Sequence, residues 1–278
     1  MLLDTLLDVR DRSEALIARL EPEDLGLQGM ADASPPKWHL AHTTWFFDTF
    51  VLQPHLASHT PCDPRWSYQF NSYYETVGER HPRSERGVLS RPPIREILAW
   101  RAEVDAGLKQ LLSNEPTPEL QTLVELGLQH EQQHQELLLM DLLDGFSRQP
   151  LEPSYGIDAD LQTSTVRPQW LDCDGGVVEI GAHKNGFHFD NETPRHRVWL
   201  DPFQISDELV SNAEYQAFID DGGYRRPELW MSDGWGLVQQ RGWTQPRYWR
   251  DTHDEFGLAG RQRRDPAAPV RHLSWFEA

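Results

Sequence analysis

The sequence predicts a four-helix bundle followed by a second, α+β or irregular domain. Three observations lead there. Over the first 145 residues apolar side chains recur at steps of three and four, the period of a helix. Beyond residue 177 that pattern gives way to short β-rich runs dense in Trp, Gly and Arg. Residues 146–176, between them, are polar and carry prolines, as linkers do. The expected organisation is therefore a helical bundle over 1–145, a linker over 146–176 and a second domain over 177–278.

The first helix is set by Leu3, Leu6, Leu7, Leu16, Ile17 and Leu20, an apolar stripe interrupted by charged positions. That alternation describes an amphipathic helix and not a signal peptide. A second helix starts at "SPPKWHLAHTTWFFDTFVL", with Ser34 as the expected cap and prolines in the first turn, where no N–H partner is needed. Its apolar residues fall on every side, so it should be buried all round. A long aromatic connection, "SYQFNSYYETVGERHPRSERGVLSRPP", follows; connections of such length are usually functional or disordered, and its aromatics favour functional. A third helix carries Ile94, Ile97, Leu98, Val104, Leu108 and Leu111, and a fourth runs from about Pro118 to Leu143. Four helices with one long crossover make a bundle.

In the second domain, "GGVVEIGA", "GFHFDNE" and "RHRVWLDPFQIS" read as short strands and turns, and Ser211 opens a short helix. The final "SWFEA" pairs Ser274 with Glu277 in a capping-box pattern, which announces a helix that the chain does not continue. One turn cannot sustain a helix alone, so the second domain is expected to be incomplete.

Composition narrows the function. The 278 residues carry 44 acidic against 26 basic side chains, a formal charge of −18 that argues against nucleic acid or an anionic membrane as partner. Cys62 and Cys173 form neither a disulfide framework nor a paired metal motif, which suits a reduced, cytoplasmic setting. No stretch approaches the roughly 20 apolar residues of a membrane span.

The chemistry is concentrated in "HEQQHQELLLMD", residues 130–141. His130 and His134 lie four apart on one helical face, a spacing that suits chelation of one ion. They share a stripe with Leu120, Leu123, Gly127 and Leu137 that should face the bundle interior. On the second helix His42 shares a stripe with Trp38, Trp45 and Thr49, while His39 points about a quarter turn away. Two histidines from one helix and one from another make a three-histidine metal site. The alternative is a set of hydrogen-bonded core histidines. The string also fits H-E-x-x-H, the zinc-peptidase signature. However, Leu137 and Met140 stand where a metzincin has Gly and His, and Pro153 where a thermolysin-like enzyme has its carboxylate.

With "SPPKWHLAHTTWFFDTFVL", "FNSYYETVGERHPRSERGVLSRPP", "MSDGWGLVQQRGW" and "PVRHLSWFEA", this segment makes the chain resemble the iron-dependent sulfoxide synthases of ergothioneine biosynthesis. The resemblance covers nearly the whole chain. The order of its L-A-H, Y-Y and H-E-Q-Q-H segments is specific where none of them alone would be. It implies a DinB-like four-helix bundle followed by an incomplete C-type-lectin-like (sulfatase-modifying-factor, formylglycine-generating-enzyme) domain. It also implies Fe(II) held by His42, His130 and His134, with His39 behind them, and O2 as co-substrate. The substrates would be hercynine (trimethylhistidine) and a thiol, cysteine or γ-glutamylcysteine, joined by a C–S bond as a sulfoxide. Tyr73 and Tyr74 would be the active-site phenols, and Gln133 would reach substrate through water. Arg83 and Arg86 would hold the carboxylates of the thiol substrate, since guanidinium forks match carboxylates.

The family's second domain normally continues past the segment matching "HLSWFEA" and helps bind the trimethylated substrate. The expectation is therefore a C-terminally truncated relative, with a separately encoded remainder as a candidate partner. Two other readings stay open: a DinB-like thiol S-transferase that uses Zn or Ni, and a non-catalytic remnant. The residues leave open which thiol is used and whether hercynine or histidine is the acceptor.

Overall fold

Charged residues interrupt the apolar faces of the long helices that build the first unit. In α1 (Leu2–Ile17) the buried face is Leu6, Val9, Arg10, Ser13 and Ile17. In α5 (Ile94–Leu112) it is Ile97, Trp100, Arg101, Val104, Gly107 and Leu108. Between them in sequence lie α2 (Pro36–Phe46), the single turn α3 (Gln53–His55) and α4 (Pro64–Phe70), and α6 (Pro118–Ser147) completes the set. The computed structural model describes residues 2–72, 78–113, 115–156 and 168–278. It divides into two units, Met1–Tyr155 and Gly156–Ala278.

Every residue of α2 is buried, as the all-round apolar pattern requires. Ser34 does not cap it. The N-cap is Pro35, in extended conformation, with no side-chain cap. Pro36 brings no N–H, so fewer orphan donors need a cap at this end. Ser34 serves elsewhere: its N–H donates to Asp141 Oδ2 at 2.8 Å and its Oγ accepts from Arg86 Nη1 at 2.8 Å. After Phe46 the helix widens into a π segment, Phe47–Leu52, before α3. Pro54 accounts for the widening: it has no N–H to give the Phe50 carbonyl, and its ring would clash with that group in an unbroken α-helix.

Thr117 caps α6, its Oγ1 accepting from Leu120 N–H at 3.3 Å, with Pro118 in the first turn. The buried face of α6 runs through Leu120, Val124, Gly127, Leu128, Glu131, Leu138 and Asp141. This face is rotated by about one residue from the expected histidine stripe, which leaves His130, His134 and Leu137 half-buried at its edge. The core between the helices is formed by Leu6, Trp45, Phe47, Ile97, Val104 and Leu108, among others.

The second unit is α+β. Among the described residues three antiparallel pairs form: β1 (Trp170–Cys173) with β4 (Phe203–Ser206), β2 (Gly176–Ile180) with β3 (His196–Leu200), and β5 (Asp254–Gly257) with β6 (Gly260–Arg263). β1 falls inside the stretch expected as linker, and α6 reaches two residues into it. "GFHFDNE" forms no strand; its end is a 3-10 turn, Asp190–Glu192. Trp170, Val177, Trp199 and Ile205 on these strands are exposed. The core of the unit lies instead around α7 (Asn212–Asp220) and α8 (Ser232–Arg241), where Tyr215, Tyr224, Val238 and Trp249 cluster. Ser211 and Glu214 form a full capping box at α7. Ser274 and Glu277 make both box hydrogen bonds without a helix, at 2.7 and 3.3 Å, and Glu277 also accepts from Tyr224 Oη at 2.5 Å. Among the described residues no helix is long and apolar enough to cross a membrane.

Candidate metal centre

Trp38, His42 and Trp45 follow steps of four and three on α2, so one helical face stacks them. The His42 ring lies 4.6 Å from Trp38 at an interplanar angle of 12°, and 5.7 Å from Trp45 at 19°. Trp38 is clamped from its other face by the Arg86 guanidinium, 3.4 Å above its ring. Held in this column, His42 donates Nδ1–H to the Phe70 carbonyl at 2.5 Å, which leaves Nε2 as a lone pair. His42 Nε2 stands 3.2 Å from His130 Nε2. One ligand atom each from His42, His130 and His134 falls within 4.8 Å of the others.

His134 turns its Nδ1 to His39 Nδ1 at 2.9 Å, and His39 Nε2 faces Asp141 Oδ2 at 3.1 Å. Phe46 packs on the His130 ring at 5.0 Å. It can do so because residue 127 is glycine: a Cβ there would lie 2.6 Å from Phe47 and 2.8 Å from Phe46.

These donors fit a metal ion. Burial, followed by the proximity of His130, holds His42 well below the usual imidazole range. Burial, then the other three imidazoles, does the same to His134, and burial brings His130 to about 4. All three are neutral at pH 7 and keep the lone pairs a metal needs. Bonds of ~2.1 Å at ligand angles between tetrahedral and octahedral would separate two nitrogens by roughly 3.0–3.4 Å, and the His42–His130 spacing of 3.2 Å lies in that range. Among the described residues, the buried His130 Nδ1 has no hydrogen-bond partner.

Glu131 turns away from this cluster. Its side chain is 1% exposed, ion-paired with Arg10 Nη1 at 2.9 Å and with Arg101 Nη2, and its Oε1 accepts from Ser13 Oγ at 2.7 Å. Burial opposes its charge, but Arg101 and Arg10 outweigh it and bring the carboxyl down to about 2. A carboxylate bound to two guanidiniums cannot serve as a general base, so the match to the peptidase signature is a coincidence of spacing.

The remaining sequence candidates are placed unevenly. Gln133 is exposed, one residue before His134. Arg83 and Arg86, expected as candidates for the carboxylates of the thiol substrate, have different hydrogen-bond partners. Arg83 Nε donates to the Asp32 carbonyl at 2.7 Å, whereas Arg86 is buried on Trp38 and donates to Ser34 and Ser72 Oγ at 2.8 and 3.3 Å. The 3-10 turn Arg83–Val88 that carries both sends them to different partners. Tyr73 and Tyr74 lie outside the described residues.

Sequence reasoning missed the Asp141–His39 support and the Glu131 ion cluster. Both left a signal: Asp141 lies seven residues after His134, two turns along the same face, and Arg10 and Arg101 break two apolar stripes.

Comparison with known proteins matches residues 5–138 to the DinB superfamily and 159–278 to the sulfatase-modifying factor enzyme 1-like domain. A hercynine oxygenase of Mycolicibacterium smegmatis is 29% identical over 284 residues, covering 100% of this chain and 63% of that protein. One from Mycolicibacterium thermoresistibile is 29% identical over 98% of this chain and 60% of its own length. One from Mycobacterium tuberculosis is 34% identical over 154 residues, 54% of this chain. The chain thus spans about 60% of the length of the first two relatives.

Proposed function

We propose a non-haem iron site for oxidative C–S bond formation in this chain, whose residues 5–138 match the DinB superfamily and 159–278 the sulfatase-modifying factor enzyme 1-like domain. The substrates are hercynine and a thiol, cysteine or γ-glutamylcysteine. The observation that carries this reading is the convergence of His42, His130 and His134, three neutral imidazoles from two helices, in a chain similar to hercynine oxygenases over its full length.

His42, His130 and His134 would hold the ion, and three imidazoles suit Fe(II) while leaving room for substrates. Iron, when bound, supplies the redox chemistry that couples dioxygen reduction to sulfur oxidation. The reaction balances as thiol plus imidazole C–H plus O2 giving a C–S bond, a sulfoxide oxygen and one water. This chain's own residues provide the setting. The Phe70 carbonyl and the Trp38–Trp45 stack fix the His42 ring. Phe46 closes the apolar side of His130. His130 and His134, half-buried at the edge of the α6 core face, would leave a bound ion approachable. Gln133, exposed one residue before His134, would reach substrate through water. A phenol from Tyr73 or Tyr74 would donate a proton at oxygen. Arg86 supports Trp38, and Arg83 and Arg86 would hold the carboxylates of the thiol substrate.

The test is anaerobic loading with Fe(II), followed by oxygen uptake with hercynine plus either thiol. Sulfoxide formation with one O2 consumed per C–S bond is expected. Stoichiometric Fe(II) binding without oxygen uptake with either thiol sinks the oxygenase reading.

A further inference from the structure

The ligand face of His134 is set by atoms that never touch the ion. Asp141 Oδ2 already accepts the Ser34 N–H at 2.8 Å, so it acts as an acceptor toward His39 Nε2, 3.1 Å away. His39 Nε2 therefore carries that ring's proton. A neutral imidazole has one N–H, so His39 Nδ1 is a lone pair. It faces His134 Nδ1 at 2.9 Å, and a hydrogen bond there requires His134 to donate. With its proton on Nδ1, His134 has its lone pair on Nε2.

We propose that Asp141 and His39 are positioning residues that lock His134 in the tautomer whose Nε2 can take a metal. The inference rests on the metal-site reading above. The relay is built from two helices: His39 precedes His42 by three residues on α2, and Asp141 follows His134 by seven on α6. It also ties the two ligand helices together. Asp141 holds Ser34 N–H, Ser34 Oγ accepts from Arg86, Arg86 lies on Trp38, and Trp38 stacks on His42. The circuit thus closes from one ligand to another without passing through the ion. His130 lacks such support among the described residues, its Nδ1 having no partner. Partners of this kind orient a ligating imidazole and raise its basicity, and losing one typically weakens metal binding about 10–100-fold.

Substitutions separate the relay from mere packing. Ser34 N–H and His39 Nε2 meet the same atom, Asp141 Oδ2, so Asp141→Asn keeps an amide oxygen there for both and is the conservative control, whereas Asp141→Leu removes the acceptor. In Asp141→Leu nothing holds the His39 proton on Nε2, so His39 can carry it on Nδ1 and donate to His134 Nδ1, which places the His134 proton on Nε2 where the ion should bind. His39→Leu removes the relay. His39→Gln retains an acceptor oxygen and a donor N–H, and should rescue part of it.

The measurement uses the full chain with 15N-labelled histidine, metal-free, to read the His134 tautomer, followed by Co(II) titration. The expected result is His134 Nδ1–H in the wild type and in Asp141→Asn, and loss of that single tautomer in Asp141→Leu. Co(II) affinity should fall about 10–100-fold in Asp141→Leu and His39→Leu and by less in His39→Gln. The relay is overturned by a wild-type His134 protonated at Nε2, or by Asp141→Leu and His39→Leu affinities within twofold of wild type. It is equally overturned if His39→Leu abolishes binding as completely as His134→Ala does, because His39 would then be a ligand. If the wild type binds no Co(II), the metal-site reading fails, while the metal-free tautomer still decides the relay.

Discussion

Arg101 and Glu131 form an ion pair in which neither side chain is more than 1% exposed, and Arg10 closes on the same carboxylate from α1. The pair joins three helices at a residue adjacent to His130. Removing one partner of a buried pair leaves uncompensated charge and costs about 3–5 kcal/mol. Glu131→Gln should therefore lower stability by about that much in urea unfolding, while the metal stoichiometry stays the same. Unchanged stability with lost activity would instead return Glu131 to the role of catalytic base.

Gly127 is the close-approach point of α2 on α6. A methyl group there would press on Phe47 and Phe46 at 2.6 and 2.8 Å, and Phe46 is the ring that packs on His130. Overpacking of this kind costs about 1–3 kcal/mol. Gly127→Ala should lose about that much stability and weaken Co(II) binding as well. Gly26, with nothing within 4 Å of its would-be Cβ, is the control. Gly26→Ala should be neutral or gain about 0.4–1 kcal/mol by restricting the unfolded chain. Equal effects at the two glycines, read from urea midpoints, would count against the packing account.

The helices and their apolar faces were legible because a period of 3.6 is written directly into the sequence. The i, i+4 pair His130–His134 was legible for the same reason, as was the stripe of Trp38, His42 and Trp45. What stayed hidden depends on which neighbour a residue meets. Arg86 looks like a loop arginine and only tertiary structure lays it on Trp38. Ser34 looks like a cap, but two prolines leave that end of α2 with little to cap. Glu131 looks like part of a peptidase signature until Arg10 and Arg101 reach it from two other helices. β1 pairs with β4 across more than 30 residues, a partner that a polar, proline-bearing stretch does not announce.

Cys62 should be an unreactive thiol. Burial, then Asp48 and Asp63, push it up to about 12, because each disfavours the thiolate. The folded state holds its proton more tightly than the unfolded state, whose thiol titrates near 8.5. Its contribution to stability is thus complete below about pH 8.5 and is lost as pH rises from there toward 12. Since the thiolate is the reactive form, alkylation of Cys62 at pH 8 should be at least tenfold slower in the native protein than in urea, by roughly the fall in thiolate fraction. Mass spectrometry of partly labelled protein separates it from Cys173. Equal rates in both states would show that the thiol is not held protonated.

Metal binding itself should appear as stability. An ion that binds only the folded chain stabilises it by RT ln(1 + [L]/Kd), about 2.7 kcal/mol at a hundredfold excess over Kd. Adding Co(II) to the metal-free protein should raise its melting temperature, and His42→Ala, His130→Ala and His134→Ala should each abolish the rise. The graded case is His39→Gln. A tenfold weaker ion at the same concentration should still give roughly half the stabilisation, because the gain depends on the logarithm of affinity. A ligand would not behave this way, since its loss removes a bond and an Ala scan of ligands flattens the shift. The ordering is therefore informative even where absolute affinities are not measured. Full shift in the wild type, partial shift in His39→Gln and none in the three alanine variants assigns His39 outside the ion's contacts. A lost shift in His39→Gln with a retained one in His42→Ala would exchange their roles.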